Sequence, residues 1–230
     1  TNGSAIFGMD CKVPGMLYAT IQHSPVFLGK VKRFDDAETR KVPGVTHVLK
    51  TSRDVFGKTI EGIAVVGQSY YAAEQGRKQL MIEWDHQGLD EWNTQKIFQD
   101  YQTAAKSDGT VFKDDGNFDA GFTSAPKKVE ASYETPYQSH TCMEPMNCIV
   151  HVQKDKCAFW GSTQNPNGMK SFLSRKYSVP EEQVEINYTY MGGGFGRRSL
   201  TDVVEEAADP SQQTGKPIKL IWSRDEDTTQ

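Results

Sequence analysis

Six residues, Met191-Gly-Gly-Gly-Phe-Gly196, carry the densest chemical signal in this chain. They lie between a strand expected at 184–188 and a stretch with helical spacing, so they join a strand to a helix. Successive glycines let backbone N–H groups approach a ligand with no Cβ in the way. A following helix start favours anions through its dipole and its unpaired N–H groups. Arg197 and Arg198 add positive charge. Together these features suit a phosphate or an anionic cofactor. The dinucleotide fingerprint fails, because Gly192 and Gly194 would require glycine where Arg197 stands. The P-loop pattern fails for want of Gly-Lys-Ser/Thr. A plain strand–helix turn accounts for the glycines equally well.

Two further stretches offer polar groups. Gly161-Ser-Thr-Gln164-Asn-Pro-Asn lies between a strand and a helix, where Ser162, Thr163 or Asn165 would serve as an ordinary cap. His140-Thr-Cys-Met-Glu144-Pro145 holds Glu144 extended before proline, and taken alone it reads as a strand-end carboxylate in solvent. The cysteines are Cys11, Cys142, Cys148 and Cys157, with no Cys-x-x-Cys pair. Free buried thiols are expected. A zinc site from His140, Cys142, Cys148 and His151 has poor spacing, since Cys148 and His151 point to opposite faces of a strand. Cys142 as an aldehyde dehydrogenase nucleophile lacks a nicotinamide fingerprint beside it.

Strands expected at 16–21, 31–34, 45–49, 63–66 and 81–84, with helices at 36–40 and 70–80, suggest a small α/β layer over the first 85 residues. A helix at 91–105 precedes a Gly/Asp/Lys/Ser-rich stretch that reads as a linker. Strands are then expected at 128–133, 147–152, 157–160, 184–188 and 217–222, with helices at 166–177 and 199–208. Asp209-Pro210 is expected to shorten or kink the last helix. The 230 residues are 37% hydrophobic and 24% charged, with net charge −4, a balance that fits a folded α+β chain. No basic stripe marks a nucleic-acid partner, and no apolar run is long enough to span a bilayer.

His140-Thr-Cys-Met-Glu-Pro145, Thr163-Gln-Asn165 and Met191-Gly-Gly-Gly-Phe-Gly196 occur in an order and spacing similar to the cofactor domain of the xanthine dehydrogenase and aldehyde oxidase family. The segment 219–227 resembles the family segment downstream of those motifs. Gly15-Met-Leu-Tyr-Ala19, Ser24-Pro25, Pro43-Gly-Val45 and the stretch 70–85 resemble the family's α/β hammerhead domain. The resemblance implies a hammerhead domain over 1–106, a linker over 107–126, and the first part of a molybdopterin-binding domain over 127–230. Arg197-Arg198 is closest to the isoquinoline oxidoreductase and membrane-associated aldehyde dehydrogenase branch.

By that resemblance Gln164, Gly193, Gly194, Phe195, Gly196 and Arg197 line the cofactor, which is molybdopterin or its cytosine dinucleotide form carrying molybdenum. No side chain ligates the metal. The implied reaction oxidises an aldehyde or N-heterocycle with oxygen from water, and electrons pass to iron–sulfur centres. The implied partners are a small [2Fe-2S] subunit, a cytochrome subunit and a small-molecule substrate. A periplasmic or membrane-associated setting goes with that branch, and a cytoplasmic one is the alternative. Arg197-Arg198-Ser199 replaces the Gly-Lys-Glu of the purine-oxidising branch, which argues against purines. The family's catalytic glutamate lies downstream of Gln230, so no catalytic residue is assigned here. The chain is expected to be a piece of a longer subunit that does not bind the intact cofactor alone. The rival expectation is a non-catalytic α+β binding or assembly module.

Overall fold

A computed structural model gives the fold and describes residues 2–229. Its strands are β1 (Leu17–His23), β2 (Lys30–Asp35), β3 (Val45–Val55), β4 (Lys58–Gly67), β5 (Met81–Asp85), β6 (Asn147–Val152), β7 (Cys157–Gly161), β8 (Val184–Tyr188) and β9 (Ile218–Ile221). Its helices are α1 (Tyr70–Lys78), α2 (Thr94–Ala104), α3 (Phe118–Ser124), α4 (Pro166–Tyr177), α5 (Asp202–Thr214) and α6 (Arg224–Thr229). The described residues form two compact units, one of 1–89 with 139–230 and one of 90–138. The result is the expected α+β class.

In the larger unit seven strands form one mixed sheet in the order β3-β4-β1-β9-β6-β7-β8, and β2 pairs with β5 as a separate ribbon. The joint lies at β9, which runs parallel to β1 on one side and antiparallel to β6 on the other. All four β9 residues are buried, as a central strand covered on both faces requires. Helix α5 packs across β3, β6 and β9, while α1 lies over β1 and β4. Ala19, Ile21, Val150, Phe159, Ala207, Ala208, Leu220 and Trp222 belong to a continuous buried core. Each large apolar side chain in it contributes about 1.5–3 kcal/mol.

Local chemistry fixes the helix ends. Ser69 caps α1 through the Ala72 N–H at 3.1 Å. Asn165 caps α4 through the Gly168 N–H at 3.1 Å, with Pro166 in the first turn.

Several expectations need correction. The segment 128–133 forms no strand, because it has no neighbour to pair with, and Val129 and Tyr133 stand exposed. The stretch expected as a linker contains α3, capped by Asn117. Residues 36–40 give only a 3-10 turn at Thr39–Lys41. Helix α5 starts at Asp202 rather than 199, and it runs through Pro210 to Thr214. Proline removes one helical bond and costs about 3 kcal/mol, but Ala207, Ala208, Pro210 and Ser211 are all buried. Their packing, with the Ser211 hydroxyl accepting from the Val152 N–H at 2.9 Å, offsets that loss.

The smaller unit, 90–138, contains α2 and α3. The Tyr101 and Tyr137 hydroxyls hydrogen-bond each other, Phe118 stacks on Phe122 at 5.5 Å, and Lys128 lies over the Phe122 ring.

Candidate functional site

Strand β8 delivers the chain into the glycine loop, 191–196. Gly193 and Gly196 take positive φ values of 110° and 92°, which a side chain would resist. Phe195 also sits in the left-handed region at φ 51°, and the residue is 73% exposed. A non-glycine residue held there costs about 1–3 kcal/mol, so the surroundings must impose the conformation.

Those surroundings are two polar clamps. Glu144 Oε2 accepts from the Gly192 N–H at 2.9 Å, and the Gly192 carbonyl accepts from the Glu144 N–H at 3.0 Å. Arg198 donates from Nε to the Gly193 carbonyl at 2.8 Å and from Nη2 to the Glu144 carbonyl at 2.8 Å. At the loop's far end the Gln164 Oε1 accepts from the Gly196 N–H at 3.1 Å. That fixes the Gln164 amide orientation and leaves its Nε2 as a free donor. Gly194 is the close-approach glycine: a Cβ there would lie 2.7 Å from Gln164 Oε1 and 2.8 Å from Met191 Sδ.

After these bonds, the backbone N–H groups of Gly193, Gly194 and Phe195 have no acceptor among the described residues. The loop therefore holds three adjacent unpaired N–H groups, with Gly194 itself buried, together with Gln164 Nε2, beside an exposed aromatic residue. Such a surface takes a ligand rich in oxygen or other acceptors.

The anion recipe read from the sequence is only half realised. A 3-10 turn, Arg197–Ser199, separates the loop from α5, so the α5 dipole is not aimed at the loop. Its first turn instead carries Asp202. Arg197 is buried, donating to both Asp202 oxygens at 2.9 and 2.7 Å. Burial would raise the Asp202 carboxyl, but the Arg197 fork outweighs it and holds it below the usual range. Neither arginine side chain faces outward, since Arg198 is 1% exposed. The main chain of Arg197 still closes the loop, donating to the Gly194 carbonyl at 2.8 Å.

Behind the loop lies a buried charge cluster. The Trp222 ring has Arg53 over it at 4.8 Å and Arg197 at 5.1 Å, and its Nε1 donates to Glu206 at 2.9 Å. Glu206 also meets His23 Nε2 at 2.7 Å, while His23 Nδ1 meets Glu226. Burial pushes His23 down, but the two carboxylates outweigh it and hold its pKa above the ordinary histidine value.

Of the residues singled out by sequence, the structure gathers Glu144, Gln164 and Met191–Gly196 at one place. His140 is exposed. Cys142 is buried with its thiol against the Gly194 carbonyl at 3.6 Å. The thiols of Cys148 and Cys157 are raised by burial, the latter to about 11, which makes them poor nucleophiles. Sequence reasoning missed the inward roles of Arg198, Asn147 and Lys219. The available signal for the last two was a polar residue within an apolar strand run, Asn147-Cys-Ile-Val and Ile218-Lys219-Leu-Ile.

The profile of the Molybdopterin cofactor-binding domain family matches residues 98–230. Over 98% of its length the chain is 31% identical to the isoquinoline 1-oxidoreductase subunit beta of Brevundimonas diminuta, covering 29% of that protein. It is 32% identical to the membrane-bound aldehyde dehydrogenase [pyrroloquinoline-quinone] of Gluconacetobacter polyoxogenes, covering 30% of it. In fold it is similar to the aldehyde oxidoreductase of Desulfovibrio gigas. The TM-score is 0.72 over 98% of this chain and 29% of the other, at 15% identity. The chain thus spans about three-tenths of the length of these proteins.

Proposed function

Because the chain belongs to the molybdopterin cofactor-binding domain family, we propose that its glycine loop forms one wall of the cofactor cleft in a longer molybdenum hydroxylase subunit. The observation that carries this reading is the row of unpaired N–H groups at Gly193, Gly194 and Phe195 beside the free Nε2 of Gln164. A pterin with its phosphate and molybdenum-bound oxygens is an acceptor-rich group, so the donors present fit it. The tight approach of Gly194 to Gln164 keeps the wall thin enough for backbone contact.

The cofactor-binding residues on this reading are Gln164, Gly193, Gly194, Phe195 and Gly196, with Arg197 as their support. Gln164 orients through its amide, Gly193 and Gly194 donate through the main chain, Gly196 fixes Gln164 through its own N–H, and the exposed Phe195 ring excludes water. Arg197 acts from behind, closing the turn on Gly194 and bracing it against Asp202. When bound, the molybdenum cofactor supplies the oxidation of an aldehyde or N-heterocycle with oxygen from water. The general base for that chemistry is assigned to the rest of the subunit, and none of the carboxylates here takes that role. Residues 1–106 correspond to a hammerhead domain and 127–230 to the first part of the cofactor domain, with the stretch 107–126 that carries α3 between them. A [2Fe-2S] subunit and a cytochrome subunit are the proposed electron-transfer partners. The relatives named as subunits support an assembly of this kind. Among the described residues no helix is long and apolar enough to cross a membrane.

Molybdenum and pterin content per chain of the full-length subunit tests the proposal. Gly194→Ala would drive a Cβ into Gln164 and Met191 and is expected to lower the content roughly tenfold, equivalent to about 1.4 kcal/mol of binding. A variant that keeps the wild-type content would overturn the assignment of this loop.

A further inference from the structure

Glu144 has no part in the chemistry proposed above, yet it is 8% exposed and several donors converge on it. Its Oε1 accepts from the Met9 N–H at 3.0 Å and from Asn147 Nδ2 at 3.0 Å. Its Oε2 accepts from the Gly192 N–H at 2.9 Å and lies 3.5 Å from Arg198 Nη2. One carboxylate therefore ties the glycine loop to the N-terminal turn Gly8–Asp10. That turn is fastened elsewhere as well. Lys219 Nζ donates to the Met9 and Cys11 carbonyls at 2.6 and 2.7 Å. The Tyr190 N–H donates to the Ile6 carbonyl at 2.9 Å, just before the loop begins. Gly8 sits so close to this carboxylate that a Cβ would come within 2.3 Å of Asn147 Oδ1 and 3.1 Å of Glu144 Oε1.

From these contacts we infer that Glu144 is a positioning residue, a buried carboxylate through which the N-terminal turn sets the direction of the glycine-loop amides. The inference rests on the loop's proposed place at the cofactor. Only an ionised carboxylate can serve both sides, because each of its oxygens accepts. An amide of the same shape has one acceptor and one donor. In Glu144→Gln either the Met9 or the Gly192 N–H must face another N–H, so one side is released.

Amide hydrogen exchange on the full-length, cofactor-loaded subunit tests this, with molybdenum content measured on the same samples. Two variants are compared: Glu144→Gln, and Gly8→Ala, which disturbs the turn and leaves the carboxylate in place. Both are expected to speed exchange across 191–196 roughly tenfold, as loss of one charge-assisted hydrogen bond implies. Exchange across β4, 58–67, which carries none of these groups, should stay unchanged, molybdenum content should fall, and Glu144→Asp should recover part of both effects. Wild-type exchange at 191–196 in both variants would overturn the inference. Faster exchange spread equally over 58–67 would also overturn it, by making Glu144 a residue of general stability. Faster exchange confined to 191–196 with full molybdenum retained would uphold the clamp and overturn the loop's cofactor role.

Discussion

Replacing His23 with leucine probes the charge cluster that braces the site from behind. Both ring nitrogens of His23 face carboxylates: Nε2 lies 2.7 Å from Glu206 and Nδ1 is bonded to Glu226. A neutral imidazole has only one N–H to donate, so this side chain, fully buried, is held as an imidazolium. Removing the cation leaves two buried carboxylates short of a partner. Loss of one member of a buried pair costs about 3–5 kcal/mol. The lower end, about 3 kcal/mol, applies here, because Arg53 stays 3.4 Å from Glu206 and Arg77 stays 3.2 Å from Glu226. Urea unfolding followed by tryptophan fluorescence measures the loss. The pH dependence gives the sharper test. Burial works against the charged form, but the carboxylates raise the folded pKa above the unfolded value of about 6.5. The stabilisation is therefore complete below about pH 6.5 and lost as pH rises through the folded pKa. Wild type and variant should differ most near pH 6 and converge at higher pH. A loss under about 1 kcal/mol, or a difference that stays constant or widens as pH rises, would refute the imidazolium.

Two other consequences can be measured directly. Arg197→Leu should cost stability rather than anion affinity, by about 3 kcal/mol in urea unfolding, since its guanidinium is committed to Asp202; undiminished stability would return Arg197 to the ligand side of the loop. In the native chain a charged disulfide reagent should modify half-buried Cys11 ahead of Cys142, Cys148 and Cys157, which react only as fast as the fold opens because they are buried; equal reaction of more than one thiol per chain contradicts that packing.

The elements with strong local signals were legible in the sequence. Helix α4 carries its own Asn165 cap and Pro166 start, β6 is a largely apolar run, and β8 alternates apolar and polar residues, so all three fall where the pattern puts them. The hairpin of β3 and β4 extends well beyond its apolar centre, turning at Phe56-Gly57, both with positive φ, and phenylalanine is not a residue that announces such a turn. The insertion of β9 between β1 and β6 joins residues about 200 positions apart, which no local periodicity records. The same distance hid the clamp at the site. Glu144 before proline looks like a solvent-facing carboxylate until Met9 and Gly192 are folded onto it. Arg197 and Arg198 look like an anion site until Asp202 and the carbonyls of Gly193 and Glu144 claim them.

The most direct test of the central claim is an experimental structure of the full-length subunit with its cofactor bound. The account predicts cofactor acceptor atoms within hydrogen-bond distance, about 3.5 Å or less, of the Gly193, Gly194 and Phe195 amides and of Gln164 Nε2. A bound cofactor that leaves those four donors facing solvent or other protein groups would contradict it.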